Sequence, residues 1–552
     1  MDENIYSYLG LPFDVDEAIV IETIESQLVK WHNMMPSQPE SAIEHIECLM
    51  EFKKQLSARP DWLKEQALEI ASPIFGIDFG TTYSGIAVCS DNSGKASPII
   101  VDRGLYRMPS AVYLDDNMVY VGEVAKSMLE SNPNNGRDRV KSDLGNPDIS
   151  YNIGDSSYSP LQFTYLILKK LFCDVSDSLK KEIRRVSVAY PVRLGCDERQ
   201  ELLTSFRIHD LRVEAMVPEP VAVAYHYNLD IDKDQAVMVF DLGGQYLDVS
   251  VLKISDALID IAAYGCDNQL GGNEWDEELM KFIIEKHRQE TNCTEEYIYS
   301  DKYQLAKLRN DCEEAKKFLS YRAQATIRIG DTKIKITSDE FECLIQHLLD
   351  RIILIVKDTL ERAYSEGVNR CEKILMAGSM SFLPHIQKRL KMEFPDMIVE
   401  CEEPAVAIAC GATMYANRLQ RKKEVDAVPV MAKGLVIGAS NGGKAYILHN
   451  VVPKWQGLPY AKVIHAKKID DQNTFHFTLF EHDCVEMDCD HIEHLRKLMS
   501  RTVTFSKPSP KDSPVDILLQ VNVDGHITNI NVVDVFNDEV VIVDLIPETV
   551  NC

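Results

Sequence analysis

No run of apolar residues in this chain reaches the ~18 that a membrane-spanning helix requires. No basic stretch followed by an apolar one stands behind Met1-Asp2-Glu3-Asn4, so no secretory leader is expected. Positive charge is in deficit. There are 59 Lys and Arg against 86 Asp and Glu, a net charge of −27. That balance excludes general nucleic-acid binding and attraction to an anionic membrane surface. Low-complexity tracts are also absent. Cysteine is not scarce, but its fourteen residues are scattered and mostly sit in apolar segments, as Cys89 and Cys410 do. Without a leader they read as reduced core thiols, and the expected location is cytoplasmic. What is present is the composition of a globular protein, 45% hydrophobic and 26% charged. With 552 residues the chain is too long for one core and implies about three to four domains.

Residues 1–72 read as a helical module. Ile19, Val20, Ile24, Leu28 and Trp31 recur at helical spacing, and a second helix is expected from about Glu40 to Ser57. Pro36 and Pro39 separate the two. From 73 to 419, short β-branched runs alternate with longer amphipathic stretches, an α/β pattern. Residues 420–434 read as a linker, beginning Gln420-Arg421-Lys422-Lys423-Glu424. Residues 435–552 are rich in strand patterns. Asp516 to Val523 meets Asp524-Gly525 and restarts at His526 to Val532, a hairpin signal.

Two glycine turns stand out, each led by an aspartate: Asp78-Phe79-Gly80-Thr81-Thr82-Tyr83 and Asp241-Leu242-Gly243-Gly244-Gln245-Tyr246-Leu247-Asp248. Each joins two apolar, strand-like runs. Glycine lets backbone N–H groups approach a phosphate, and the aspartate can hold a metal against its oxygens. A single such turn also makes an ordinary hairpin. Two suggest a duplicated fold that clamps one nucleotide from both sides.

From about Pro73 to Ala416 the order of motifs resembles the heat-shock protein 70 family of actin-like ATPases. The resemblance implies a two-lobed actin-like nucleotide-binding domain that takes ATP or ADP with Mg²⁺. Asp138 to Gly145 is similar to the segment bearing the family's catalytic lysine, which gives that role to Lys141. Val186 to Pro191 resembles the strand whose proline couples the domains. Glu219-Pro220-Val221 resembles the helix whose glutamate faces the metal's waters. Gly271 and Gly272 fall in a turn near ribose and phosphates. Glu313, Lys316, Lys317 and Ser320 fall on the helix bordering adenine and ribose, and Gly378, Ser379 and Phe382 in the last adenosine loop. Gly80, Thr81, Thr82, Tyr83, Gly243, Gly244, Gln245 and Tyr246 would surround the phosphates. Asp78, Asp241 and Glu219 would hold Mg²⁺ mainly through its waters, with Asp248 also on the metal side. A lysine near the terminal phosphate neutralises charge and holds the attacking water.

Taken singly, Lys141 reads as a surface lysine, Glu219 as a helix start, and Glu313, Lys316 and Ser320 as an exposed helix face. The chain also departs from the family. Gln245 and Tyr246 replace a glycine and a threonine where the backbone should approach the phosphate. Ser379 replaces a glycine, and Phe382 stands where an arginine stacks on adenine. The expected activity is therefore a weak ATPase coupled to binding of unfolded or extended polypeptide. The alternatives are a nucleotide-gated binding module with little hydrolysis, or a small-molecule kinase of the same superfamily.

The flanks resemble further family modules. Tyr6 to Pro12 and the following helix look like a degenerate J domain in which His32-Asn33-Met34 replaces His-Pro-Asp. J-protein or nucleotide-exchange partners are implied by the resemblance. The tail resembles the family's peptide-binding β-sandwich, with no helical lid expected behind it. Val425, Val428, Val430 and Met431 would supply a docking linker. His482, Cys484, Cys489, His491 and His494 fit no standard zinc spacing. Ile492, Leu495 and Met499 instead predict a short helix.

Overall fold

A computed structural model of the chain describes residues 4–11, 15–35, 39–59, 61–89, 95–115, 118–256, 258–291, 302–422, 434–440, 446–452, 460–468, 473–482, 496–521 and 527–543. The expected linker residues Val425, Val428, Val430 and Met431 lie outside these. So do Cys484, Cys489, His491, Ile492, His494, Leu495 and the turn Asp524-Gly525.

Among the described residues the first module has four helices, Ile5–Leu9, Glu17–Met34, Pro39–Ala58 and Trp62–Ala71. Val20 and Ile24, one turn apart, meet Leu49, Phe52 and Trp62 in a small core. His32-Asn33-Met34 lies inside the last turn of the second helix rather than on the connection after it, and His32 Nδ1 sits 2.7 Å from the Leu28 carbonyl oxygen.

Two sheets follow, with one topology used twice. In the first, Ala96–Pro98, Tyr83–Cys89, Ile74–Phe79, Arg185–Tyr190 and Arg212–Pro218 lie in that order, and Arg107–Pro109 also pairs with Tyr83–Cys89. In the second the order is Leu258–Asp267, Leu247–Ser255, Gln235–Leu242, Lys373–Ala377 and Ile398–Glu400. Each sheet runs through two antiparallel and then two parallel pairings. The duplication expected from the two glycine turns is thus present in the strands. Register places Asp78 opposite Gly85 in one hairpin and Asp241 opposite Asp248 in the other. Phe75, Phe79 and Phe240 are fully buried beneath them, each contributing about 1.5–3 kcal/mol.

Between the sheets lie two helices, Glu219–His226 and Ala407–Lys422. Their crossing is close because Gly411 has no side chain. A Cβ there would overlap the Ala222 carbonyl oxygen. This contact fixes the height of Glu219, the first residue of its helix.

Among the described residues the tail forms two four-stranded antiparallel sheets: Tyr446–Val452, Gly434–Ser440, Thr474–His482 and Arg496–Thr504; and Tyr460–Lys467, Pro514–Val521, Ile527–Asp534 and Glu539–Ile542. Val515, Ile517, Leu519 and Val521 alternate inward, as one buried sheet face requires. The expected hairpin is the antiparallel pair Pro514–Val521 with Ile527–Asp534. Two expectations are corrected. Met499 lies in a strand rather than a helix, because Arg496–Thr504 pairs along Thr474–His482. The expected linker is shorter at both ends, since the helix before it runs to Lys422 and the strand after it begins at Gly434.

Candidate functional site

Both glycine turns open onto one cleft. Asp78, Gly80, Thr81, Thr82 and Tyr83 form one wall, and Asp241, Gly243, Gly244, Gln245, Tyr246 and Asp248 the other. Lys141, Glu219, Gly378 and Ser379 also line it. Lys141 comes from the short 3-10 turn Val140–Asp143. Its Nζ donates to Glu219 Oε1 at 3.0 Å, with both side chains buried. Lys141 is therefore not the surface lysine that it suggests when read alone, and Glu219, which does start its helix, is buried with it.

The cleft concentrates negative charge. Burial, reinforced by Glu219, pushes the Asp78 carboxyl up to about 7, against the opposing Lys141 and Arg107. Burial also raises Asp241 well above the carboxylate range, with Glu219, Asp248 and Asp78 adding to it and Lys141 opposing. Carboxyls held up in this way mark a place that gains from an added cation. Among the described residues, however, no three His, Cys, Asp or Glu side chains converge closely enough to ligate a metal directly. Asp78, Asp241 and Asp248 are therefore not a ready-made direct ligand set.

The two walls approach each other closely at their glycines. A Cβ on Gly244 would overlap Thr82 Oγ1, and Gly378, at φ 79°, admits no L side chain without strain. Thr82 Oγ1 and Asn273 Nδ2 are buried without a hydrogen-bond partner. These features fit a ligand rich in acceptor oxygens.

Gln245 and Tyr246 reach across the cleft. Ser142 Oγ donates to Gln245 Oε1 at 3.2 Å, and the Tyr246 hydroxyl donates to Ser142 Oγ at 3.2 Å. The Arg193 guanidinium lies 3.8 Å from the centre of the Tyr246 ring.

The remaining sequence candidates border this cleft rather than line it. Lys126 Nζ donates to Tyr83 Oη at 3.1 Å and to Glu313 Oε2 at 2.9 Å, and Lys317 pairs with Glu313 at 3.0 Å. Burial alone would raise Glu313, but Lys126 and Lys317 override it and hold the carboxyl down at about 2. Tyr83 and Glu313 thus join the first hairpin to the helix Lys302–Leu319. Lys316 is not on an exposed face. It is buried, donates to the Gly272 carbonyl at 2.7 Å and pairs with Asp276 at 2.8 Å. Ser320 Oγ donates to the Lys316 carbonyl at 3.4 Å. The Gly271 N–H donates to Glu274 Oε2 at 2.8 Å. Phe382 closes the 3-10 turn Ser379–Phe382 and is 50% exposed, so it is no core residue.

Sequence reading missed Arg107, Arg193, Lys126 and Tyr264. None sits in a glycine turn. The nearest signal was Pro191, which also lines the cleft two residues before Arg193.

No described helix is long and apolar enough to cross a membrane. The family described as Hsp70 protein matches residues 74–542. The chaperone protein DnaK of Mycoplasma mobile is 30% identical over 352 residues, 62% of this chain and 57% of that protein. The chaperone protein DnaK of Halobacterium salinarum is 26% identical over 482 residues, 84% of this chain and 73% of that protein. With the duplicated sheets and the shared cleft, a match of this extent shows that the chain belongs to the Hsp70 family.

Proposed function

We propose that this chain binds ATP or ADP with Mg²⁺ in the cleft, hydrolyses ATP slowly, and couples the nucleotide to polypeptide binding by its β-sandwich. The observation that carries the reading is the convergence of both glycine turns on the buried Lys141–Glu219 pair. Bound Mg²⁺–ATP supplies the phosphoanhydride and a divalent charge against its oxygens. Asp78, Asp241 and Glu219 would hold the metal mainly through its waters, with Asp248 also on the metal side. Lys141 presents its ammonium to the charge that develops and to the attacking water. Glu313 and Lys317 would border the ribose, with Tyr83 linking Glu313 to the phosphate turn, and the half-exposed ring of Phe382 would offer a face to the base. Unfolded or extended polypeptides are the proposed partners, with J-protein or exchange-factor partners secondary, and the proposed location is cytoplasmic.

A second reading, a nucleotide-gated module with little hydrolysis, is favoured by one feature. Gln245 and Tyr246 bridge to Ser142, next to Lys141, where small residues would leave space.

Single-turnover assays on the full chain decide between them. On the first reading, wild type converts bound ATP to ADP and Lys141→Ala slows this about 100-fold or more, with ATP still bound. Binding without turnover in wild type selects the second reading. Equal turnover in mutant and wild type removes Lys141 from its role.

A further inference from the structure

Arg193 is placed as no motif required. It follows Pro191 at the end of the strand Arg185–Tyr190 and lines the cleft. One face of its guanidinium is covered by the Tyr246 ring. Its nearest carboxylate, Asp248, stands 3.8 Å from Nη1, beyond hydrogen-bond reach. The Tyr264 hydroxyl donates to the other oxygen of Asp248, Oδ1, and Oδ2 faces Arg193 only as an ion-pair neighbour. Arg193 Nη1 is therefore buried with no hydrogen-bond partner, an arrangement that folding disfavours unless an acceptor arrives. Tyr246 is itself anchored, since its hydroxyl bonds Ser142 beside Lys141. A guanidinium with one face stacked and an edge unbonded suits a phosphate oxygen, because its planar fork matches phosphate geometry.

We propose that Arg193 is the residue by which this cleft distinguishes a nucleoside triphosphate from a diphosphate, its Nη1 edge taking an oxygen of the terminal phosphate while Tyr246 positions the guanidinium plane. This inference rests on the nucleotide-binding reading above. Arg193 is then specificity-determining and Tyr246 is a positioning residue. The bulk at Tyr246 is the support of a second cation beside Lys141, not only an obstruction.

The test is calorimetric affinity, with Mg²⁺, of the full chain for ADP and for the non-hydrolysable β,γ-imido analogue of ATP. The quantity read is the ratio of the ADP to the analogue dissociation constant. Arg193→Gln should lower this ratio about tenfold or more, the scale of one charge-assisted hydrogen bond. Arg193→Lys should recover part of it, as a point charge without the fork. Tyr246→Ala should lower the ratio less than Arg193→Gln does, and Tyr246→Phe, which keeps the stacked ring but loses the anchor to Ser142, should fall between Tyr246→Ala and wild type. A wild-type chain that binds neither nucleotide overturns the nucleotide reading and this inference with it. Binding of both, with an unchanged ratio in Arg193→Gln, overturns this inference alone. Should Arg193→Gln fail to fold, the ratio in Arg193→Lys decides: a fall supports the assignment, and no change overturns it.

Discussion

At Asp276, burial and a neighbouring ammonium pull in opposite directions. Lys316 Nζ lies 2.8 Å from its Oδ1, yet burial wins and pushes the carboxyl up to about 6. An unfolded aspartate titrates near pH ~3.9. The folded state therefore binds the proton more tightly. Its contribution to stability is complete below about pH 4, falls as the pH rises to about 6, and is level above that. Asp276→Asn cannot ionise. Any deficit against wild type should therefore shrink from about pH 4 to about pH 6, because wild type alone loses its proton-linked contribution over that range. Thermal unfolding of both chains across this range checks it, and a constant deficit would refute the assignment. None of this was legible in the sequence, where Lys316 looked like one member of a solvated helix face. That Asp78, Lys141, Glu219 and Asp241 line one cleft was legible, because they fall in motifs whose order along the chain is itself informative. Arg193 was not. A lone arginine after Pro191-Val192 has no pattern, and its significance comes from Tyr246 and Asp248, which only the fold brings beside it.

Elements were more legible than single side chains where their period was strong. The duplicated hairpins follow from an apolar run, a glycine turn and a second apolar run, written twice. The segment around Met499 failed because apolar residues a few positions apart suit either period. Pairing along Thr474–His482, a tertiary effect, settles it as a strand. Neither did the sequence reveal that a helix crossing holds Glu219 in place. In an unconstrained helix Gly→Ala stabilises, because alanine is the better helix former. Gly411→Ala should do the reverse, as its methyl would displace the helix Ala407–Lys422 from Glu219–His226. The expected loss is about 1–3 kcal/mol, the range for an overpacked core. Nucleotide affinity should weaken as well, since Glu219 moves with its helix and Ile408, on the partner helix, also lines the cleft. Melting curves and nucleotide titration test the two halves together. A folded Gly411→Ala chain with wild-type affinity would show that the crossing does not position Glu219.

On the scale of the whole chain, composition shifts marked three modules, but not how they meet. Arg496, at the start of the sandwich strand Arg496–Thr504, reaches the nucleotide domain. Its Nε donates to Glu481 Oε2 at 3.0 Å, while Nη2 stands 3.2 Å from Asp197 and 3.5 Å from Glu198 on the helix Cys196–Arg207. Its Nη1 donates to the carbonyl of Gly145, the glycine that ends the segment carrying Lys141. A charge on the sandwich is thereby tied to the backbone just beyond the cleft. If nucleotide and polypeptide binding are coupled as proposed, this contact is a physical route for the coupling, and coupling must act in both directions. Arg496→Ala should then shrink the effect of nucleotide on polypeptide dissociation by about two- to fivefold, the scale of a partly exposed ion-pair network. Because the Arg496 side chain is 38% exposed, salt should act in the same direction. Wild type in about 1 M salt, where charges are screened beyond about 3 Å, should lose part of the same effect. The measurement is release of a labelled extended peptide with ATP and with ADP, at low and high salt. Undiminished nucleotide dependence in Arg496→Ala would show that the two domains communicate by another surface.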